Sequence, residues 1–222
     1  MFGNRENNLL RRALELYAGK DVLAGVLSEG EAFLFPHARN VELTMLFFDI
    51  ASVAERGDGL DAVALGDYVT TYAEAMTNAV ADTGGTFDTF IGDSGSAWWG
   101  VRGEPAHADQ ALSCARKLLH AAERLNNLGN ANMPLISLKI GIHSGLVSLG
   151  SFGSSTRLRH TVMGNAVNLA SRLCGIAPDY STHVLLSEAT HLRLKDASCT
   201  TYLDSVRVKG KDEPVRIYRA AF

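Results

Sequence analysis

Cysteine is scarce in this chain: Cys114, Cys174 and Cys199 are the three among 222 residues, far apart and odd in number. Without a CxxC pair they do not form a zinc knuckle or a disulfide scaffold, and a reducing cytoplasm is the expected setting. Charge of one sign is also missing. Twenty-one Lys and Arg stand against 24 Asp and Glu, a formal net charge of −3. No basic field gathers a nucleic-acid backbone, although a few placed cations suffice for a small nucleotide. No apolar run approaches the roughly 20 residues of a membrane span, and the N-terminus has no signal-peptide core. The expectation is therefore a chain with no membrane contact of its own. Seven histidines lack HxxxH or HExxH spacing, which argues against a zinc site. Neither an internal repeat nor a low-complexity tract is present.

What remains is an ordinary globular composition, 46% hydrophobic and 20% charged, enough for one domain and a short extension. Residues 1–40 read as a helical lead-in. Leu10, Leu14 and Tyr17 share a helical face, and Val22, Leu23, Val26 and Leu27 continue the stripe after Gly19. Such a helix either packs on its own domain or couples an upstream sensor domain to it. Residues 41–222 hold the rest.

Leu43–Phe48 is a run of strand formers without alternation, as in a strand buried on both faces, and it ends at Asp49. The spacing from Leu60 to Val80 predicts a long amphipathic helix, closed by Gly84-Gly85. Thr86–Ile91 and Ser96–Trp99 predict a hairpin about Gly92-Asp93. A second helix follows Pro105. Ile136, Leu138, Ile140 and Ile142 alternate as in a strand, and Ser144-Gly145 reads as a turn into Leu146–Leu149. A third helix covers about Ala166–Cys174, and Val184–Leu186 and Val215–Tyr218 are expected to close the sheet. This order predicts an α+β fold, a ferredoxin-like βαββαβ sandwich with additional C-terminal strands.

In that layout the strand ending at Asp49 and the hairpin carrying Asp93 are sheet neighbours, so two carboxylates can meet at one edge. Hard oxygen ligands of this kind suit Mg²⁺ together with substrate phosphates. Taken singly, Asp is also a common strand-end and turn residue. Asn168 and Arg172 lie four apart on one helical face, where an amide and a guanidinium can clamp phosphoryl charge. His143 and the Trp98-Trp99 pair read as structural.

Five blocks in order resemble the class III adenylate and guanylate cyclases over about Val41–Tyr218. They are Phe48-Asp49-Ile50, Phe90-Ile91-Gly92-Asp93, Gly141-Ile142-His143-Ser144-Gly145, Gly164–Leu173 and Val208-Lys209-Gly210-Lys211. The resemblance implies that Asp49, Asp93 and the backbone carbonyl of Ile50 hold two divalent ions, Mg²⁺ or Mn²⁺. It implies that Asn168 orients the ribose, Arg172 stabilises transition-state charge, and Lys209 binds the triphosphate, with Arg157 a looser candidate for that task. It also implies a homodimer in which the metal aspartates face Asn168 and Arg172 of the partner subunit.

The family's base-reading positions are Thr89 and Thr161 here. Thr161 fits a known variant of the family, whereas Thr89 replaces the usual lysine of adenylate cyclases and equally the glutamate of guanylate cyclases. A hydroxyl donates or accepts, so the pair leaves the base open, and the missing glutamate favours ATP over GTP. Ser52-Val53-Ala54 replaces the Gly-Phe-Thr often found after the first aspartate. The expected activity is conversion of ATP to 3′,5′-cyclic AMP and pyrophosphate. A guanylate cyclase, or a nucleotide-binding regulatory domain with little turnover, is the alternative.

Overall fold

The apolar run at Leu43–Phe48 lies within a 15-residue strand, β1 (His37–Ala51). The computed structural model describes residues 4–51, 61–128, 135–208 and 213–222. After β1 come α3 (Ala62–Asp82), the hairpin β2 (Thr86–Ile91) and β3 (Ser94–Trp99), α4 (His107–Leu128) and β4 (Ser137–Gly153). Then follow β5 (Leu158–Met163), α5 (Asn165–Ile176), β6 (Val184–Ser187), the short α6 (Glu188–His191), β7 (Thr200–Val206) and β8 (Val215–Ala220). Two helices, α1 (Asn4–Ala18) and α2 (Lys20–Glu29), precede β1.

The sheet has the order β2-β3-β1-β4-β6-β8-β7, with β5 paired to β4. Its first four strands, with α3 and α4 as crossovers, give the βαββαβ arrangement expected from the sequence. The C-terminal strands add to that core through β6, which runs parallel to β4. The fold is thus an α+β sandwich with C-terminal additions.

The chain divides into two compact units: residues 1–41 with 146–164, and residues 42–145 with 165–222. In the first, β5 pairs with the end of β4 from Ser148↔Met163 to Gly153↔Leu158. Phe33 is buried there, with its ring 5.0 Å from that of His37 and 5.3 Å from that of His160. Gly25 lets α2 close on Phe33, since a Cβ at that position would run into the ring.

In the second unit, Leu46, Phe48 and Ile50 of β1 join Tyr72, Met76 and Val80 of α3 and Ala111, Ala115 and Leu118 of α4 in the main core. Asp61 starts α3 by accepting the backbone N–H groups of Val63 and Ala64, a cap that contributes roughly 1 kcal/mol. Trp99 is buried in the main core and donates from Nε1 to the Thr83 carbonyl at 3.1 Å. Trp98, which follows the other face of β3, is buried as well, its indole N–H without a partner among the described residues.

The Ser144-Gly145 turn does not form. β4 continues through it, because the Ser144 hydroxyl is taken into the interior, 2.7 Å from Thr44 Oγ1 and donating to Thr190 Oγ1 at 3.1 Å. His143 is buried likewise, with Nδ1 2.7 Å from Ser187 Oγ.

Candidate active site

Alternation along β1 sends Leu46, Phe48 and Ile50 into the core and leaves Asp49 on the opposite face. Asp49 is paired in register with Ser94 at the start of β3, whose hydroxyl donates to Asp49 Oδ1 at 3.0 Å. The β2–β3 turn carries Asp93. Its carbonyl accepts the Ile50 N–H at 3.2 Å, which fastens the turn to the strand end. Gly92 takes φ +62° in this turn, a conformation glycine adopts without strain. Gly95 leaves room for the Phe48 ring where a Cβ would collide. Asp49, Ile50 and Asp93 are therefore brought together.

Lys139 of β4 forms an ion pair with Asp49 Oδ2, the two side chains being 25% and 27% exposed. Its ammonium is held above the usual lysine range, first by the hydrogen bond to Asp49, with further support from the charge of Asp93. Burial raises the Tyr72 phenol, and the Asp93 charge adds to that effect. The sequence reading passed over Lys139. The sequence carries its face alone, because the apolar alternation Leu138, Ile140, Ile142 puts Lys139 on the face that Asp49 occupies.

No cluster of three or more His, Cys, Asp or Glu suited to a metal occurs among the described residues. A site of two carboxylates fits Mg²⁺ or Mn²⁺ bound jointly by protein and substrate phosphates rather than a closed protein cage. Asp49 already holds one positive charge at this edge, the Lys139 ammonium.

Helix α5 carries Asn168 and Arg172. Ala166, Leu169, Ala170 and Leu173 form its buried face, Asn168 is exposed, and Arg172 lines a cavity of about 720 Å³. Gly141 of β4 places the helix, since a Cβ there would strike the Ala170 carbonyl and the Cys174 backbone. Cys174 Sγ donates to the Lys139 carbonyl at 3.2 Å, and burial pushes its thiol up to about 12.

Thr89 lies opposite Ser96, beside a bulge between Phe87 and Thr89, and its hydroxyl donates to the Phe90 carbonyl at 3.1 Å. Thr161 and Arg157 belong to the first unit. Thr161 is buried on β5 opposite Gly150, and Arg157 is exposed in the β4–β5 connection, its N–H donating to Ser154 Oγ at 3.2 Å. Lys209 and Ser52-Val53-Ala54 lie outside the described residues.

Residues 35–219 match the adenylate and guanylate cyclase catalytic domain. The chain belongs to this family. The cyclase domain is 32% identical over 184 residues to an adenylate cyclase of Anabaena cylindrica, covering 79% of this chain and 36% of that protein. It is 32% identical over 205 residues to adenylate cyclase 1 of Rhizobium meliloti (strain 1021), covering 91% of this chain and 31% of that protein. Among solved structures, the adenylyl cyclase CyaB from P. aeruginosa superposes with a TM-score of 0.71 at 27% identity, over 84% of this chain and 96% of that one. The cyclase domain spans about a third of the length of these two curated relatives. No helix among the described residues is long and apolar enough to cross a membrane.

Proposed function

We propose that this domain is an adenylate cyclase that acts as a homodimer in the cytoplasm, converting ATP to 3′,5′-cyclic AMP and pyrophosphate. The observation that carries the reading is the meeting of Asp49, Ile50 and Asp93 at one sheet edge. Asp49, Asp93 and the Ile50 carbonyl would hold two divalent ions, Mg²⁺ or Mn²⁺, which when bound supply Lewis-acid polarisation and charge neutralisation at the phosphates.

Asn168 of the partner subunit orients the ribose so that its 3′-oxygen lies in line with the α-phosphorus. The bond from the 3′-oxygen to the α-phosphorus forms, the bond to the β-bridging oxygen breaks, and the hydroxyl proton passes to solvent. Arg172 of the partner subunit donates to the phosphoryl oxygens as their charge develops. Lys209 holds the triphosphate, and Arg157 is a second candidate for it. Thr89 and Thr161 read the base. Residues 1–40 couple an upstream sensor domain to the catalytic region at 41–222.

A second reading, a guanylate cyclase, is favoured by one contact. The Thr89 hydroxyl spends its proton on the Phe90 carbonyl, which leaves lone pairs for the base. Lone pairs suit the N1–H of guanine better than the N1 acceptor of adenine. The deciding experiment incubates the purified protein with ATP or GTP and Mn²⁺ and separates the products. Cyclic AMP supports the first reading and cyclic GMP the second. Absence of both, with nucleotide bound, leaves the regulatory alternative.

A further inference from the structure

The cavity at Arg172 holds a second guanidinium, Arg207, which lies just ahead of the Val208–Lys211 block. Val206 and Val208 pack into the cluster formed by Leu169 and Leu173 of α5 with Leu185 and Ile217. That packing anchors residues 206–208 against the helix that carries Arg172. Alternation of extended chain then turns the exposed Arg207 away from the cluster, and it lines the same cavity of about 720 Å³ as Arg172. This volume is within the range of small-molecule sites, roughly 300–1,000 Å³.

Two other arginines are held by acids: the half-buried Arg193 by Glu42 at 2.7 Å and the exposed Arg216 by Glu188 at 2.9 Å. Among the described residues Arg207 makes no salt bridge. Asp179 is the carboxylate lining the cavity, one negative charge against two guanidiniums. Asp204 accepts the Tyr180 hydroxyl at 2.8 Å and does not itself line the cavity. Among the residues that line the cavity two guanidiniums thus stand against one carboxylate, in a wall that also contains Ile176 and Val208.

We propose that Arg207 is a phosphate-binding residue that, with Arg172, clamps the pyrophosphate portion of the nucleotide and the pyrophosphate it releases. The assignment of this anion rests on the cyclase reading, because pyrophosphate is that reaction's leaving group. A planar guanidinium bonds a phosphate through two parallel N–H groups, and two such forks suit a linked pair of phosphates better than a single one.

The test titrates the full chain with inorganic pyrophosphate by calorimetry, and also uses pyrophosphate as product inhibitor in steady-state assays with ATP. Wild type, Arg207→Gln and Arg207→Lys are compared. Arg207→Gln is expected to weaken pyrophosphate binding about tenfold and to raise KM by a similar factor, as loss of a charge-assisted contact predicts. Its kcat should stay within about threefold of wild type, since an interaction shared by ground and transition states moves KM alone. Arg207→Lys should recover part of the binding. Unchanged pyrophosphate binding and KM in Arg207→Gln overturns the clamp while leaving the cyclase reading standing. Pyrophosphate binding that depends on Arg207 in a protein making no cyclic nucleotide supports the clamp and sinks the cyclase reading. A wild type that fails to bind pyrophosphate overturns the clamp.

Discussion

Asp49 takes a hydroxyl from Ser94 on one oxygen and the Lys139 ammonium on the other, so its carboxylate is already oriented and balanced by charge. Replacing it by Asn keeps the shape and removes the charge. Asp49→Asn and Asp93→Asn are each expected to abolish turnover, because a lost carboxylate ligand removes several kcal/mol of transition-state stabilisation. The fold should survive, since a partly exposed ion pair contributes only about 0–1 kcal/mol. Thermal melting and product assays check both halves, and near-normal rates with an unchanged metal requirement would refute the two-metal assignment. Thr89 gives a second prediction. Thr89→Lys supplies a charged donor, worth roughly 1.5–3 kcal/mol to adenine N1, so KM for ATP should fall by about tenfold or more. A rise in GTP turnover instead would mean that Thr89 does not face N1. The aspartates could be read from the sequence because one ends an unbroken apolar run and the other sits in a Gly-Asp turn. Lys139 could not be assigned in the same way. A lone lysine in a half-buried strand gives its face, not its partner.

Helix α5 is set by a close backbone approach at Gly141 as well as by its buried side chains. Gly141→Ala forces a methyl against the Ala170 carbonyl and the Cys174 backbone. Overpacking of this kind typically costs about 1–3 kcal/mol. The variant should lose stability by that amount in urea unfolding, and its kcat should fall further as Asn168 and Arg172 shift with the helix. Full stability with full activity would show that α5 is placed by other contacts. The polar layer under β1 and β4 yields a pH prediction. Ser144 spends its proton on Thr190, so the Thr44 hydroxyl supplies the 2.7 Å bond to Ser144, and His107 Nδ1–H supplies the 2.6 Å bond to Thr44. Burial is the main force holding His107 below the ordinary value of 6.5. Arg193 acts in the same direction, while Glu42, Glu104 and Asp109 oppose it. Its stabilising contribution is complete above 6.5 and is lost as pH falls from there through the folded value. The melting midpoint should drop between pH 7 and pH 5, and drop less in His107→Gln. An equal drop in both proteins would remove His107 as the source. Strands with apolar alternation were legible from sequence, whereas the length of β4 was not. A Ser-Gly pair is a turn signal in isolation, and only tertiary partners for the Ser144 hydroxyl turn it into strand. Strand β7 escaped for the opposite reason, because most of its residues are exposed and give no period.

At the scale of the whole molecule, the fold class followed from element order alone, while the assembly that completes the site rests on the family resemblance. The proposed arrangement puts Asp49 and Asp93 of one subunit opposite Asn168 and Arg172 of the other, and this is what separates it from a monomeric enzyme. Asp49→Ala and Arg172→Ala homodimers should each be inactive, because both sites of each carry one defect. In a heterodimer of the two, one site collects both defects and the other collects neither. Random mixing makes about half the dimers heterodimers, each with one intact site of two, so about a quarter of wild-type activity should return for an isologous two-fold assembly. Co-expression with different affinity tags allows the heterodimer to be isolated, and its activity should then rise to about half of wild type. If confirmed heterodimers are as inactive as their parents, all four residues act within one subunit and the shared-site arrangement is wrong.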